Sequence, residues 1–299
     1  MIKSAPSHRA RLSRQALRAA LLLAPALLLS ACAALRPAAT APAAPLPTAP
    51  FVLLGEVHDN PAHHLERAAL LRRLLADGRR STVVFEQMGR DQDAALAVAP
   101  REAEAQSQAG GLDRQGWRWP LHKPLFEAAL AGQAQLRGGN ISREQARALV
   151  RQGEAAWPED LLPLKLATPW APAQQQALQA EIEQGHCGAM PARLLPGMVL
   201  AQRGRDAAMA QAMLQARAAG AERVILIAGN GHVRRDLAVP LYLQAAGVPA
   251  EQIHVQAYLE QASGPAAAEP QTALYDRVVR TAKSQREDPC AALRQTGKS

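Results

Sequence analysis

The sequence is poor in aromatic residues and has no basic patch of the kind that binds nucleic acid. Its 299 residues include three Phe, three Tyr and four Trp, and no Lys/Arg cluster is interleaved with them. This excludes the usual nucleic-acid interfaces. No internal repeat is visible, which excludes a repeat architecture. Hydrophobic residues still make up 48% of the chain, so we expect a core filled mainly by Leu and Ala, and disorder over the whole chain is excluded.

The excess of positive charge lies mostly at the N-terminus. The formal net charge is +8. Five basic residues and no acidic ones fall within the first 31 residues, namely Lys3, Arg9, Arg11, Arg14 and Arg18. Without these five, the chain has 29 of its 34 basic residues and 26 acidic ones, which leaves a net charge of +3. The basic balance is therefore interpreted as part of a targeting segment rather than as a nucleic-acid interface.

Residues 1–31 are predicted to be an export signal. An apolar run over residues 19–29 follows the basic segment and is too short to span a bilayer comfortably. It ends in Leu29-Ser30-Ala31-Cys32, which resembles a bacterial lipobox, in which the signal is cleaved before the cysteine and the cysteine is lipidated. The alternative is a chance cysteine after an ordinary signal. Because Ala33 rather than Asp follows, the lipoprotein pattern implies the outer membrane.

The rest of the chain divides into a tether, a folded body and a tail. Residues 32–50 comprise the lipidated Cys32 and an Ala/Pro-rich tether, residues 51–290 the body, and residues 291–299 the tail. The cysteines that remain are Cys187 and Cys290. An even pair in an oxidising compartment suggests a disulfide, and two separate thiols are the alternative.

The body begins with a strand, a helix and a second strand. The apolar run over residues 51–54 suits a buried strand, and Asn60-Pro61 suits the start of a helix predicted over residues 61–76. Residues 82–85 form a second apolar run that ends at Glu86. This order predicts a βαβ unit with two parallel strands.

The remaining pattern completes an α/β fold. Residues 91–220 are mostly helical in pattern, with one strand predicted over residues 134–138 and a helix over residues 197–218. Residues 223–228 give the strongest strand, and residues 253–259 give a last one. We expect a mostly parallel central sheet flanked by helices, with a helical insertion that forms a lid.

Three of these strands run directly into polar residues. Glu56 and His58 follow the first strand, Glu86 the second and His232 the strongest. Ligands of open α/β sheets bind at the carboxyl ends of the strands, so these side chains are expected to share one crevice. They suit a divalent metal such as Zn, Mn or Fe, or general acid/base catalysis. The alternative is that Glu56, His58 and Glu86 are separate, hydrogen-bonded loop residues.

The segment around His232 offers an anion site. His232 is expected at a helix N-terminus, where the dipole favours the neutral imidazole that ligates metals. Asn230 precedes it, and Arg234 and Arg235 follow in the first turn. Guanidinium groups and backbone amides there would bind an anion. The alternative is that the arginines are merely solvated.

One helix carries polar residues on an apolar face. Over residues 197–218, the side chains Gln202, Arg205 and Asp206 interrupt a stripe of apolar residues with helical period. Because buried charges are costly unless paired, these residues form either a structural ion pair or the wall of a cavity.

Three further histidine-containing segments are weaker candidates. His63 and His64 are adjacent on the first helix, so at most one faces the crevice. His186 lies in a glycine-bounded turn, where exposure to solvent is the commoner arrangement. A loop holding Trp117, Trp119 and His122 precedes a helix predicted over residues 124–131 and could wall a flat hydrophobic ligand. Anchoring such a loop on the core is the commoner use of Trp.

Five ordered motifs resemble those of the ChaN family. They are Gly55-Glu-x-His58 with His63-His64, Val-Val-Phe-Glu86-Gln-Met, Gly185-His-Cys-Gly188, Ala201-Gln-Arg-x-Arg-Asp-Ala-Ala-Met209 and Ala228-Gly-Asn-Gly-His-Val-Arg-Arg-Asp236. The motifs and the Val-Pro that follows them lie within residues 51–240. The family comprises haem-binding uptake lipoproteins of the Tiki, TraB and erythromycin-esterase superfamily. The Asp288-Pro-Cys290 ending also fits it, which supports a link between Cys187 and Cys290.

The resemblance implies an α/β body with a helical lid, haem in a pocket that a homodimer can share, and a role in iron acquisition. The resemblance implies a Trp-x-Trp-x-x-Tyr motif at this point, and this chain has His122 in place of the Tyr. The candidate iron ligands are therefore His122, His186 and His232, in that order. The full set of cofactor-binding candidates is His122, His186, His232, Arg205, Arg234, Arg235, Asn230, Trp117 and Trp119. The arginines would bind the haem propionates, and Cys32 would hold the protein at the membrane.

Hydrolysis is the alternative activity. The superfamily includes metal-dependent proteases and esterases, and Glu56, His58, Glu86 and His232 would then hold Zn or Mn or activate water. The chain has no Gly-x-Ser-x-Gly nucleophile elbow, so such hydrolysis would depend on a metal or on the carboxylates. A third alternative is a non-catalytic scaffold of the cell envelope.

Overall fold

Six parallel strands form one sheet in the computed structural model, which describes residues 45–261, 274–288 and 290–291. The strands are β1 Phe51–Leu54, β2 Ser81–Gly89, β3 Gln135–Asn140, β4 Arg223–Ile227, β5 Ile253–Glu260 and β6 Arg277–Thr281. Their order across the sheet is β3-β2-β4-β1-β5-β6, and every neighbouring pair is parallel. The predicted α/β fold with a central parallel sheet is confirmed.

Helices cover both faces of the sheet. They are α1 Pro61–Leu75, α2 Asp93–Val98, α3 Ala103–Ala109, α4 Trp119–Ala131, α5 Arg143–Gln152, α6 Leu162–Ala167, α7 Pro172–Gly185, α8 Leu195–Ala218, α9 Asn230–Val233 and α10 Val239–Ala245. Short 3₁₀ turns lie at Arg90–Gln92, Gly153–Ala156, Glu159–Leu161, Ala192–Leu194 and Ala250–Gln252. Apart from β3, the chain between β2 and β4 is mainly helical, as the sequence predicts.

The core consists of two layers because the strand side chains alternate between the faces. On one face, Leu53 and Val84 pack against α8 and α10, and Met209 of α8 is part of this layer. On the other face, Val52 and Phe85 pack with α1 and α4. All side chains of β1 and β4 are buried, which fits the apolar runs from which these strands were predicted.

The start of α1 places the loop that carries Glu56 and His58. Asn60 caps the helix, since its side-chain oxygen accepts a hydrogen bond from the Ala62 amide at 3.0 Å, and Pro61 occupies the first turn. The Asn60 Nδ2 also donates to Glu260 Oε1 at 2.8 Å. The loop between β1 and α1 is therefore held at both the helix and β5.

Two elements differ from the expectation. Helix α4 begins at Trp119, ahead of Pro124, because Pro120 occupies its first turn and Pro124 is accommodated within the helix. Strand β6 was not predicted, since its partly exposed Arg-Val-Val-Arg-Thr segment is short and lies at the sheet edge. Residues 282–288 after β6 return to the β1–α1 loop, where Ser284 Oγ donates to the Asp59 carbonyl at 3.1 Å.

Cys187 and Cys290 form a disulfide, with Cα atoms 5.6 Å apart. This agrees with the pairing predicted from the sequence and ties the C-terminal segment to the end of α7. The proposed signal, Cys32, the first part of the tether and residues 292–299 lie outside the described residues. Within the part of the chain that the structure describes, no helix has both the length and the apolar character needed to cross a membrane.

Candidate functional site

The polar residues that follow β1, β2 and β4 meet at the carboxyl edge of the sheet. Strands β2, β4 and β1 are adjacent, so their ends lie side by side. Glu86 Oε2 accepts a hydrogen bond from the Gly229 amide at 2.7 Å. A Cβ atom placed on Gly229 would lie 2.8 Å from His58 Cε1 and 3.7 Å from Glu86 Oε2. His58 therefore lies against Gly229, between the groups around Glu56 and those around Glu86.

Glu56 is the centre of a buried cluster of charge and imidazole. Its Oε1 accepts a hydrogen bond from His58 Nδ1 at 2.8 Å. Its Oε2 forms an ion pair with Arg67 and lies 3.2 Å from His64 Nδ1. Burial lowers the pKa of Arg67 to about 9, so the guanidinium remains charged at neutral pH and balances the buried carboxylate.

Two histidines of α1 are neutral supports of this cluster. His64 Nε2 donates to the His58 carbonyl at 2.9 Å, which leaves Nδ1 to accept a hydrogen bond from Arg67 at 3.2 Å. His63 Nδ1 accepts from the Val57 amide at 2.9 Å. Burial lowers the pKa of His64 to about 3 and that of His63 to about 4. As expected for adjacent helical positions, one of the pair, His64, joins the Glu56 cluster.

His122 lies deep beside the same carboxylate. It is fully buried, its Nε2 is 3.5 Å from Glu56 Oε1, and its ring meets the His64 ring edge-on at 4.4 Å. Neither ring nitrogen has a hydrogen-bond partner among the described residues. Burial, and then the charge of Arg67, lowers the pKa of His122 to about 3. His122 is therefore a neutral imidazole with unused nitrogens and no exposed surface.

His232 lies between two carboxylates. Its Nδ1 donates to Asp206 Oδ1 at 2.6 Å, and its Nε2 lies 3.3 Å from Glu86 Oε1. Burial alone would lower its pKa, but the charges of Glu86 and Asp206 raise it to about 10. Burial likewise disfavours the Glu86 carboxylate, yet His232 holds the pKa of Glu86 below its usual range.

The prediction that a helix dipole keeps His232 neutral is wrong. Helix α9 has only four residues, whereas two carboxylates contact the ring directly. Coulomb attraction at contact distance outweighs the effect of so short a helix. In its charged form His232 has no lone pair for a metal or for haem iron, so ligation there would require loss of that proton.

The arginines after His232 are already paired. Arg234 bonds to Asp236, at 3.0 and 2.8 Å, and to Glu181, at 2.7 Å. Arg235 bonds to Asp276 and to the Ile253 carbonyl at the start of β5, away from the carboxyl edge. Neither guanidinium is therefore free for a ligand anion. Asn230, a further predicted contact, is engaged with the backbone of β5, where its side chain bonds to Tyr258.

A cavity of about 750 Å³ opens beside Glu86, within the range of small-molecule sites. Its wall includes Met88, Trp117, Ile141, Arg205, Gln87, Asn140 and Arg143. The predicted pair of Trp residues separates: Trp117 lies on this wall, with its ring 4.9 Å from the His58 ring. Trp119 is buried, packs on Phe126, and donates from Nε1 to Glu104 Oε1 at 2.9 Å.

The remaining sequence candidates fall in different places. His186 is exposed, and its Nδ1 bonds to the Ile182 carbonyl of its own helix at 2.7 Å. Among the described residues it forms no hydrogen bond or ion pair with Glu56, Glu86 or His232. The polar residues of α8 were predicted to form either a structural ion pair or the wall of a cavity, and the structure shows both. Asp206 forms an ion pair with His232, and Arg205 lies on the cavity wall.

Sequence reasoning missed Arg67 and Asn140 as site residues, and it noted Gln87 only as part of the polar pair with Glu86 that follows the second strand. Arg67 is fully buried and pairs with Glu56, and the available signal was a charged residue three positions after His64 on a helix face that also carries Leu71. Gln87 follows Glu86 directly. Asn140 ends β3, and its Nδ2 donates to the Glu86 carbonyl at 3.0 Å.

The arrangement also contains a possible set of metal ligands. One ligand atom each from Glu56, His64 and His122 lies within 4.8 Å of the others. This set differs from the predicted Glu56, His58, Glu86 and His232. Arg67 contacts both Glu56 and His64, and its positive charge opposes a cation at this point.

Comparison with known proteins identifies the family. Residues 43–243 match the model of the haem-binding uptake proteins of the Tiki superfamily, ChaN. The chain belongs to this ChaN family. The resemblance inferred from the five motifs is therefore confirmed. No curated protein matches the chain.

Solved structures are similar to this chain at low sequence identity, and one of them has a TM-score above 0.5. ChaN of Campylobacter jejuni, described by its cofacial heme binding, has a TM-score of 0.60 and 20% identity over 74% of this chain and 84% of its own. An open-conformation mutant of the erythromycin esterase EreC has a TM-score of 0.40 and 16% identity over 75% of each chain. A Bacillus cereus protein has a TM-score of 0.40 and 15% identity over 71% of this chain and 66% of its own.

Proposed function

We propose that this ChaN-family chain binds haem for iron acquisition, with the iron ligated by His58, whose ring contacts Trp117 on the wall of the cavity beside Glu86. Family membership supports haem as the ligand. The observation that carries the site is the Glu56–His58 pair: a half-exposed imidazole whose Nδ1 is held by a buried carboxylate at 2.8 Å. Its Nε2 is left to face a ligand, and a carboxylate behind a ligating histidine fixes the tautomer and the orientation of the ring.

The other histidines are less suited to the iron. His122 is fully buried behind Trp117 and His64, and His232 lies between two carboxylates that raise its pKa to about 10. His186 is exposed directly after the end of α7, outside the hydrogen-bonded clusters of the carboxyl edge. The side chain of His58 has 47% of its surface exposed. It therefore combines access for a ligand with a fixed orientation.

The cavity wall fits a flat, largely apolar ligand with acidic groups. Trp117, Met88 and Ile141 offer apolar surface, and Arg205 offers positive charge. When bound, haem would supply an iron atom that an imidazole can ligate, and His58 would hold it. The chain's own part is to hold His58 in place through Glu56 and to cover the porphyrin with Trp117.

A hemin titration tests this assignment. The full chain in detergent micelles is titrated while the visible absorption band is followed, with empty micelles as the blank. We expect saturation at a defined stoichiometry, and we expect His58→Ala to alter the spectrum and weaken binding. The matched control is His186→Ala, which removes an exposed imidazole elsewhere and should change neither.

Three results contradict the assignment. Non-saturating absorbance for the wild type would remove haem as the ligand. A spectrum altered by His122→Ala but not by His58→Ala would move the iron to the buried imidazole. A spectrum altered by His186→Ala alone would move it to α7.

A metal- or carboxylate-dependent hydrolase is the second candidate function. The Glu56–His58 hydrogen bond is also the arrangement of a general base, and Glu86 lies nearby as a second carboxylate. This reading predicts ester or peptide hydrolysis that is lost in Glu56→Gln and Glu86→Gln, and also after chelation if Zn or Mn takes part. Hemin binding that is indifferent to chelators, without hydrolysis, would leave the first proposal standing.

We further propose that the chain is an exported lipoprotein anchored through Cys32 at the outer membrane, and that a homodimer forms the haem-binding unit. The lipobox-like Leu29-Ser30-Ala31-Cys32 supports the anchor. Cys32→Ser should release the protein from membranes and abolish incorporation of a labelled fatty acid. Sedimentation of the Cys32→Ser protein, with and without hemin, tests for the dimer. A labelled, membrane-bound Cys32→Ser variant would contradict the anchor.

A further inference from the structure

The amide of Gln87 is buried without a hydrogen-bond partner. Gln87 is 4% exposed, and neither its Nε2 nor its Oε1 has a partner among the described residues. Buried polar groups in folded proteins are almost always hydrogen-bonded to protein or to water. Gln87 also lines the cavity beside Glu86, but its amide atoms are themselves buried, so they reach a molecule in the cavity only if the side chain moves.

Arg205 is half-buried on the same wall and has no carboxylate partner in the described part of the chain. Its NH1 donates to Asn140 Oδ1 at 3.0 Å, and Asn140 Nδ2 donates to the Glu86 carbonyl at 3.0 Å. These two hydrogen bonds hold the guanidinium in place. Because a guanidinium has five N–H donors, most of them remain for a ligand.

The other charged groups on this wall have less capacity for a ligand anion. Arg143 forms an ion pair with Asp113, and the Glu86 carboxylate is engaged by His232 and the Gly229 amide. Asp91 and Glu144 also line the cavity but are exposed, so water and salt screen their charge. Gln87 and Arg205 are therefore the donors with unused hydrogen bonds.

We propose that Gln87 and Arg205 bind carboxylates of the ligand, so that the cavity selects a porphyrin with free propionates over one with esterified propionates. This inference rests on the proposed haem-binding function. A guanidinium pairs with a carboxylate through two parallel, charge-assisted hydrogen bonds, which an ester cannot match. The Gln87 amide adds a second, neutral donor at a separate point of the wall.

The test compares iron(III) protoporphyrin IX with its dimethyl ester. Both are titrated into the full chain in the same detergent, and the iron band is followed in each case. We expect the free acid to bind the wild type about tenfold more tightly or better, the range for losing a hydrogen bond to a charged group. Equal affinities in the wild type would overturn the inference and leave haem binding intact.

Two substitutions locate the selectivity. Arg205→Met and Gln87→Leu should each reduce the preference for the free acid while leaving the affinity for the ester nearly unchanged. The controls are Arg151→Met and Gln152→Leu, which alter exposed side chains of α5 and should keep the wild-type ratio. A wild-type ratio in both Arg205→Met and Gln87→Leu would overturn the assignment of these residues.

A stability measurement separates a binding role from a structural one. Gln87→Leu replaces an unsatisfied amide by an apolar group of similar size, so the thermal midpoint should stay the same or rise. A large fall in the midpoint would mean that the amide supports the fold, which contradicts the proposed role. If neither porphyrin binds, the haem-binding function fails, and this inference fails with it.

Discussion

His232 donates a hydrogen bond from Nδ1 to Asp206 Oδ1 across 2.6 Å, and both side chains are buried. In the sequence Asp206 is a charge on an apolar helix face and part of a family motif, and neither shows its partner. In the structure it holds the charged form of His232, and His232 in turn keeps Glu86 ionised at the cavity wall. The state of Glu86 thus depends on a residue of α8 that does not touch it directly.

Asp206→Asn should lower the pKa of His232 from its raised value of about 10. Removing one partner of a buried ion pair leaves an unbalanced charge and should reduce the free energy of unfolding by about 3–5 kcal/mol. NMR titration of the imidazole and urea unfolding measure the two effects. Asp160→Asn, which breaks the half-exposed pair with Arg90, is the control and should cost about 1 kcal/mol or less. An unchanged His232 titration would contradict the ion-pair assignment.

The protein should be most stable near neutral pH. Burial lowers the folded-state pKa values of His63, His64 and His122 to about 4, 3 and 3, against about 6.5 in the unfolded chain. Their contribution is fully present above about pH 6.5 and is lost as the pH falls towards these values. The contribution of His232, whose pKa is raised to about 10, is present below about pH 6.5 and is lost as the pH rises to that value.

Urea unfolding between pH 4 and 8 measures this dependence. Burial raises the pKa of Asp206 to about 6, so below that pH the folded protein holds a proton on Asp206 that the unfolded chain releases. This proton cancels the one that one of the three histidines takes up on unfolding. We expect net uptake of about two protons on unfolding between pH 4 and 6, or about 2.7 kcal/mol per pH unit. The exposed His186→Ala should not alter the slope. A flat profile over this range would show that these imidazoles are not buried in neutral form.

Gly229→Ala should weaken hemin binding while the protein remains folded. The added Cβ would lie 2.8 Å from His58 Cε1 and 3.0 Å from His58 Nε2, so the half-exposed imidazole must move. Gly185→Ala is the control, since no atom lies within 4 Å of its added Cβ. Absorption titration measures the affinity, and circular dichroism verifies the fold. Unchanged hemin affinity in a folded Gly229→Ala protein would argue against His58 as the ligand.

His122→Leu should leave the free energy of unfolding unchanged or increase it at neutral pH. The imidazole is buried without a hydrogen-bond partner, and an apolar side chain of similar volume removes that cost. Urea unfolding measures the change. If the hemin spectrum is kept as well, His122 is not the iron ligand, although it occupies the position at which the family resemblance places a Tyr. A marked loss of stability would mean that the ring is hydrogen-bonded.

Cys187→Ser should destabilise the protein by about 2–5 kcal/mol, the usual cost of losing a native disulfide. The disulfide joins residues 103 positions apart, so its loss greatly enlarges the unfolded ensemble. Cys290→Ser should have the same effect, and the double variant should be no worse than either single one. Wild type treated with a dithiol reductant should match the variants. Additive losses in the double variant would contradict a disulfide between these two residues.

The fold was predictable from the sequence where strands are buried on both faces. The runs at residues 51–54 and 223–228 contain little but apolar residues, and they became the adjacent central strands β1 and β4. Strand β6 gave no such signal because its side chains are only partly buried. It is held by pairing with β5 and by Thr281, whose Oγ1 lies 2.8 Å from His63 Nε2. That contact spans most of the chain, and local pattern cannot reveal it.

The candidate site was predictable in its location but not in its charges. Glu56, Glu86 and His232 follow three strand ends, so topology alone places them at one edge. The protonation of His232 depends on Asp206, which approaches from α8. The balance of charge at Glu56 depends on Arg67, three residues beyond His64 on a helix. Contacts between elements decide both, and periodicity shows only which residues share a face.

The position of β1 also has a consequence for the timing of folding. β1 is the first strand of the sheet in the chain, yet its two neighbours are β4 and β5, so Phe51 pairs with Val224 and Ile253. During synthesis β1 emerges long before either partner, and the centre of the sheet cannot close until nearly the whole body has been made. Such non-local pairing slows folding. In a nascent chain of this topology, the central strand therefore remains without either of its partners until late in synthesis.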